Sequence, residues 1–334
     1  MEKKIFKIGQ IGIGHNHAQG HMEAFRKHPE LFEIVGYSEN DEYWLNKRGN
    51  LDCYKGLPCL NEDELIDKCD ALVIETEVND LLRAGQKCID KNKHIHLDKP
   101  TGENYHDFAK LINDAKEKGL VVHLGYLYRT NPAVKKVFSL VESGIIGNIL
   151  YVETAMSAPR SKEYLKYLET FKGGTMYIFG GHIIDFVLRI MGEPKKIEPL
   201  LFRSGAEGFH GIDNATALFY YDKGISVVRT SAIETGGHNR RELTVVGEKG
   251  TICISPFERP SIKWMALQNG KEDSYDKMAD MQTLNFPTDY NRYDEFPKEF
   301  YDRLCGISDD VYNYDYELTL HKLVLKACDI KIDN

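Results

Sequence analysis

Ile8-Gly9-Gln10-Ile11-Gly12-Ile13-Gly14-His15-Asn16-His17-Ala18 decides how the rest of this chain is read. An apolar run over residues 5–11 ends in a G-x-G turn, and residues 17–27 continue with helical spacing. Strand, glycine turn and helix in that order make a cradle for a pyrophosphate. The glycines permit a tight turn and close backbone approach, and the helix start offers N–H groups and a positive dipole end. The third glycine of the pattern is replaced by His17, with Ala18 beside it as the small residue. A second strand over residues 32–38 runs out through Val35-Gly36-Tyr37-Ser38 to Glu39. Glu39 stands 25 residues after Gly14, where an acid meets the adenosine ribose hydroxyls of a dinucleotide. A carboxylate there repels a 2′-phosphate, which favours NAD; NADP stays open through Ser38 or Asn40. The other readings of Glu39 are a solvated loop glutamate and a charge at a helix N-terminus.

Working outward, strand and helix alternate through the first half. A polar helical stretch covers residues 41–48, and Ala71-Leu72-Val73-Ile74 is a short apolar run of the kind buried on both faces. Helical spacing returns over 81–91 and 104–118, with strands over 94–97 and 120–126. Repeated βα units predict a doubly wound parallel sheet. After about residue 130 the pattern changes. Asn131-Pro132 opens a helix, residues 149–158 alternate as a strand, and residues 177–191 read as a helix stopped by Gly192 and Pro194. Strand pairs follow around the turns Asp222-Lys223-Gly224 and Gly247-Glu248-Lys249-Gly250, which predicts a mainly antiparallel sheet. The expected organisation is α/β: an N-terminal Rossmann doubly wound parallel sheet over residues 1–127, then an α+β domain with a large open sheet over 128–334. The tyrosine-rich stretch 290–316 reads as surface packing without a function.

Lys93-His94-Ile95-His96-Leu97-Asp98-Lys99-Pro100 is a short strand that ends on a lysine followed by proline. Proline disfavours the helical region for the residue before it, so Lys99 is extended at a strand's carboxyl end, the edge where open α/β sheets bind ligands. A partly desolvated lysine there suits proton transfer beside a cofactor.

Composition narrows the field. The chain has 334 residues, 42% hydrophobic and 28% charged, with a net charge of −8 and no dense basic run. That argues against a nucleic-acid groove, and no apolar stretch approaches membrane-spanning length, so neither nucleic acid nor membrane is expected as a partner. Residues 5–8 are too short and interrupted for a signal segment. Seven scattered cysteines without a CxxC pair fit a reduced, cytoplasmic setting better than a disulfide framework or a cysteine zinc site.

Several further motifs complete a pattern: Asp98-Lys99-Pro100, Gly125-Tyr126-Leu127-Tyr128-Arg129 with Asn131-Pro132, Gly144-Ile145-Ile146-Gly147, and Gly173-Gly174 followed by Gly181-His182-Ile183-Ile184-Asp185. With the glycine turn, in this order and spacing, the chain resembles the Gfo/Idh/MocA oxidoreductases over nearly its whole length. The resemblance implies a nicotinamide-dependent dehydrogenase, with NAD or NADP, acting on a secondary alcohol of a sugar, inositol or related polyol. It also implies a homo-oligomer, dimer or tetramer, built on the second domain's sheet. Cofactor contacts fall to Gly12, Gly14, His15, Asn16, His17, Glu39, Thr76, Asp98, Lys99 and Pro100. Lys99 takes the place of the motif lysine at the substrate hydroxyl, and His182 that of the general base, a task suited to a group titrating near neutrality. Tyr128, Arg129, Arg160, His182 and Asp185 are the expected substrate contacts. For Arg129 and Tyr128 an interdomain packing role, and for Arg160 a surface role, stand beside that reading.

The departures are specific. Ile178 stands where the family places the aspartate four residues before the histidine, Asp98 replaces glutamate, and Thr76-Glu77-Val78 lacks the usual proline. Relatives that cleave glycosides through transient oxidation, and non-catalytic dinucleotide-binding sensors, are the alternatives, the latter favoured by Ile178. Histidines 15, 17 and 21 cluster in sequence, and His94 with His96 would share a strand face. The first two belong at the dinucleotide and the last two on an interior strand, so no metal is expected. His238-Asn239-Arg240-Arg241 reads as an exposed polar loop.

Overall fold

The computed structural model describes residues 4–267, 274, 280–287, 289–307 and 310–332. Two compact units emerge: residues 1–127 with 293–318, and residues 128–292 with 319–334. The leading stretch of the first unit ends at Leu127. The second stretch, expected to run unbroken to 334, instead lends 293–318 to the first unit.

In the first unit, β1 (Phe6–Ile11), β2 (Phe32–Ser38), β3 (Ala71–Ile74), β4 (His94–Leu97) and β5 (Val122–Leu124) form one parallel sheet in the order β2-β1-β3-β4-β5. All four residues of β3 are buried, as a central strand covered on both faces requires. Helices α1 (Ala18–Arg26), α2 (Glu42–Arg48), α3 (Glu62–Lys68), α4 (Leu81–Asp90) and α5 (Tyr105–Glu117) connect the strands. Asp41, Asn61 and Asn104 each accept an N–H two residues on and so start α2, α3 and α5. Helix α3 (seven residues, as α2) has no counterpart in the sequence reading. The strand expected over 120–126 is confined to Val122–Leu124.

The second unit begins with α6 (Pro132–Glu142), capped by Asn131, whose Oδ1 accepts from Ala133 and Val134 N–H. It continues through β6 (Ile149–Ser157), α7 (Lys162–Leu168), α8 (Gly174–Met191), β7 (Lys196–Phe202), β8 (Asn214–Tyr221), β9 (Gly224–Ser231), β10 (Glu242–Gly247), β11 (Gly250–Ile254), β12 (Ser261–Ala266) and β13 (Gln282–Asn285). The strands form an eight-stranded sheet, β13-β12-β11-β10-β6-β9-β8-β7, antiparallel except for the β6–β9 pair. Helix α8 packs against β6, β8 and β9 and is buried from Gly174 to Leu188. Alternate residues of β8 and β9 show which face it covers: Ala215, Ala217, Phe219 and Val228 are buried, whereas Leu218 and Val227 on the other face are partly exposed.

Helix α9 (Phe296–Leu304) returns to the first unit, where Phe300 and Tyr301 join a core of Phe6, Ile8, Phe25, Phe32 and Val73. The division between units falls inside α10 (Tyr314–Ala327). The tyrosines therefore correct the sequence reading. Tyr301 is buried, the Tyr314 hydroxyl accepts from Val122 N–H, and Tyr293 packs its ring on His17 and His21. Residues 288, 308 and 309 lie outside the described residues.

Candidate functional site

The glycine turn forms as its residue types demand. Gly12 has φ of +83°, and a Cβ there would stand 2.4 Å from Thr76 Cα. The turn thus lies directly on the residue that follows β3 by two positions. Gly14 faces the Trp44 indole, and Asn16 is exposed. Glu39 accepts from Ile13 N–H at 2.9 Å through one oxygen and from Asn40 and Asp41 N–H, both at 2.9 Å, through the other. It is not a freely solvated glutamate: it stands at the entry to α2 and ties the end of β2 to the glycine turn. Arg48 closes the same turn from outside, donating to the carbonyls of Ile13 (2.8 Å) and His15 (2.5 Å) with its guanidinium 4.5 Å from the Trp44 ring. Sequence reasoning missed Arg48 and Trp44; the only signal was their place on the helix after β2. A cavity of about 250 Å³ opens here, lined by Gly12, Ser38, Glu39, Asn40, Thr76 and Glu77 among others. The lining includes five carboxylates (Glu39, Asp41, Glu62, Glu77, Asp80) and one cation, Arg83, which Glu62 and Asp80 already hold. These groups fit an adenosine with free ribose hydroxyls.

Behind the turn lies a cluster the sequence did not assemble. His15, His17, His21, Glu75, His96 and Asp98 come from the entry to α1, from α1 itself and from the carboxyl ends of β3 and β4, and all are buried. His17 Nδ1 lies 2.7 Å from Asp98 Oδ2; His15 Nδ1 lies 3.1 Å from the same oxygen and 3.3 Å from Glu75 Oε2. Burial alone would lower His15, but Asp98 and then Glu75 overcome it and hold the imidazole up at about 9. His15 Nδ1 also stands 3.3 Å from His17 N–H, which it accepts only when neutral, so the two contacts are alternatives. Burial opposes ionisation of Asp98, yet His15 and His17 outweigh it and keep the carboxylate well below its usual range. Glu75 is pushed up to about 8 by burial and by Asp98. Burial lowers His17 to about 3, His96 to about 4 and His21 well below its ordinary value. His94 does not join them: its Nδ1 accepts from Val121 N–H.

Asp98 also fixes the motif lysine, accepting Lys99 N–H at 2.6 Å. Lys99 is 5% exposed, Pro100 is buried, and the peptide between them is cis. Gly125, just after β5, lies close against that carboxylate: a Cβ there would stand 2.6 Å from Asp98 Oδ1.

In the second unit, His182 sits in the middle of α8, its ring met edge-on by Tyr128 at 5.2 Å. Tyr128 donates to Glu258 at 2.7 Å, and Arg241 binds both Glu258 and the Tyr128 oxygen. Arg241 is buried, which corrects the exposed-loop reading of 238–241; His238 is exposed as expected. Ile178, one turn before His182, is buried and offers no carboxylate. Asp185 does not replace it: both its oxygens accept from Arg129, at 3.0 and 2.9 Å. These two expected substrate contacts are thus engaged with each other. Arg160 is half-buried, its guanidinium 4.5 Å from the Tyr164 ring and 4.8 Å from Phe179, with Nε lacking a hydrogen bond.

Residues 6–126 match the oxidoreductase family with an NAD-binding Rossmann fold, and residues 134–253 match the GFO/IDH/MocA C-terminal domain. The chain belongs to the Gfo/Idh/MocA oxidoreductase family. As a member it is an NAD-binding dehydrogenase-class enzyme, and its first unit is the nucleotide-binding one. It is similar to oxidoreductase P35 of Formosa agariphila, 23% identical over 302 residues that span 82% of this chain and 86% of that one. It is also similar to a myo-inositol 2-dehydrogenase of Thermotoga maritima, 26% identical over 285 residues, 75% of this chain and 82% of that protein. Among solved structures, an Agrobacterium radiobacter oxidoreductase in complex with NAD+, L-tartaric acid and magnesium shares the fold. Its TM-score is 0.81 at 16% identity, with 97% of this chain and 96% of that one covered. Among the described residues, no helix of this Gfo/Idh/MocA protein is long and apolar enough to cross a membrane.

Proposed function

We propose that this chain oxidises a secondary alcohol of a sugar, cyclitol or related polyol with NAD as the hydride acceptor. The observation that carries the reading is Lys99, a buried lysine anchored through its own N–H by Asp98 at the carboxyl end of a parallel strand in an NAD-binding unit. Bound nicotinamide supplies the redox chemistry. Lys99 presents a cation to the substrate hydroxyl and favours its ionised form, and His182 accepts the proton. With Ile178 in the aspartate's place and Asp185 engaged by Arg129, ring packing from Tyr128, which Glu258 in turn holds, contributes to the orientation of His182. The acidic lining around Glu39 supports NAD over NADP, since a 2′-phosphate would meet a surface of five carboxylates of which Arg83 compensates only Glu62 and Asp80.

Burial pushes Arg160 below its ordinary value, and Arg241 and Arg292 add repulsion. A half-buried guanidinium among other cations is stabilised by an anion, which favours a substrate that carries a carboxylate beside its hydroxyl. The seven thiols are all free, which supports the cytoplasmic reading. The sheet face opposite α8 supports assembly into a homo-oligomer.

The test is NADH formation across a panel of neutral polyols and sugar acids, with Lys99→Ala and His182→Ala. Both variants are expected to lose turnover at least ~100-fold while NAD affinity changes less than about threefold. Near-normal turnover of both would sink the assignment. Ile178 favours one second reading, a non-catalytic dinucleotide sensor; NAD binding with no turnover on any member of the panel would establish it instead.

A further inference from the structure

Three side chains in the buried cluster are not accounted for by cofactor or substrate chemistry. His21, Glu75 and His96 are each 0% exposed. Both nitrogens of His21, Oε1 of Glu75 and Nε2 of His96 have no hydrogen-bond partner, and Glu75 Oε2 meets only the long 3.3 Å contact from His15 Nδ1. Their spacing is too wide for a hydrogen-bonded network: His21 Nε2 stands 3.7 Å from Glu75 Oε1, and His96 Nε2 stands 3.9 Å from it. Protein hydrogen bonds between such atoms span roughly 2.7–3.2 Å. Yet one ligand-type atom from each residue falls within 4.8 Å of the others. An ion with bonds of about 2.0–2.1 Å holds tetrahedral ligands roughly 3.4 Å apart, so the two edges to Glu75 need contract by only a few tenths of an ångström, and the edge between the two imidazoles starts within 4.8 Å.

We propose that His21, Glu75 and His96 bind a divalent first-row transition-metal ion. Two imidazoles and a carboxylate are the donor set of zinc and of iron(II), cobalt(II) or manganese(II), not of calcium or magnesium. Asp98 Oδ2, 3.7 Å from His21 Nε2 and held by His17 and His15, stays outside the coordination sphere as a second negative charge, so that the two carboxylates together balance a dication. An outer contact is already built: His96 Nδ1 lies 3.1 Å from His123 Nδ1, so a proton on His96 Nδ1 leaves Nε2 free to ligate. The ion would fasten α1 to the ends of β3 and β4, immediately behind the glycine turn. The neighbouring group of His15, His17 and Asp98 also has metal-ligand spacing, but its close contacts already join it. The unpartnered atoms single out the first trio.

The experiment uses the full chain without an affinity tag. Elemental analysis after dialysis is expected to find close to one equivalent of zinc, iron or manganese. Protein stripped with a chelator is expected to take up cobalt(II) saturably, with the visible ligand-field bands of a low-symmetry site. Glu75→Gln and His21→Gln should each weaken cobalt binding at least ~100-fold, beyond the 10–100-fold of an outer-contact loss. His94→Gln, on the same strand but outside the cluster, should change it less than about twofold. Two results overturn the proposal: stripped wild-type protein that shows no saturable cobalt spectrum, or binding that Glu75→Gln and His21→Gln leave intact. The wild-type titration decides the matter even if a variant does not fold.

Discussion

Replacing Asp185 with Asn tests the claim that Arg129 and Asp185 are engaged with each other. Arg129 is 6% exposed and Asp185 1%, and they share two charge-assisted hydrogen bonds of 3.0 and 2.9 Å. Burying an ion pair is costly in itself, so the pair adds little net stability. Removing one member leaves the other charge buried without its two-point partner, a loss of about 3–5 kcal/mol. The chain has two tryptophans, Trp44 in the first unit and Trp264 on β12 in the second. In a Trp44→Phe background, Trp264 fluorescence therefore reports on the unit that holds the pair. With a urea m-value of about 2–3 kcal/mol/M, the midpoint should fall by roughly 1–2.5 M. A double-mutant cycle with Arg129→Met should be non-additive, the second substitution costing far less once the first is made. If Asp185→Asn shifts the midpoint by less than about 0.3 M, or if the two substitutions add independently, the pair does not hold the interior of α8. Asp185 would then be open to substrate after all.

Gly12→Ala should abolish measurable NAD binding by calorimetry, because a positive φ costs an alanine about 1–2 kcal/mol and its Cβ would strike Thr76 Cα; retained affinity would mean the turn does not carry the cofactor. His321, on α10, is lowered to about 3 by burial, so it contributes nothing above its unfolded value near 6.5 and destabilises the fold as pH falls below that. The expected loss is about 2 kcal/mol at pH 5, and His321→Leu should flatten the acid limb of the Trp264 urea midpoint plotted against pH; an unchanged limb would exclude His321 as its source. Arg160→Met should lower kcat/KM for sugar acids about 100-fold and for neutral polyols less than tenfold; equal losses would remove the argument for an anionic substrate.

Local signals made much of the first unit legible. A strand, Gly12 and Gly14, and an acid 25 residues on are constraints between near neighbours, and the fold confirms the order they imply. Asn131-Pro132 announced α6 for the same reason: an amide cap and a proline in the first helical turn act within four residues. Short α3 carries an amide cap too, Asn61, which the sequence reading omits, whereas the edge strand β13 gave no such signal. Four residues of exposed Gln282–Asn285 carry no burial pattern to read.

What the sequence determined alone was the cradle, the pinned Lys99 and the position of His182 in a helix, since each follows from residue types at fixed local spacing. Tertiary structure decided which polar groups are engaged with one another. Asp185 looked like a substrate contact until Arg129, 56 positions away, took both its oxygens. His15, His17, His21, Glu75, His96 and Asp98 span more than eighty positions and read as separate features of three elements. Parallel strand pairing brings Ile74 beside Leu97, so the two residues just past those ends, Glu75 and Asp98, face the same histidines. That convergence depends on sheet order and register, which no local spacing encodes.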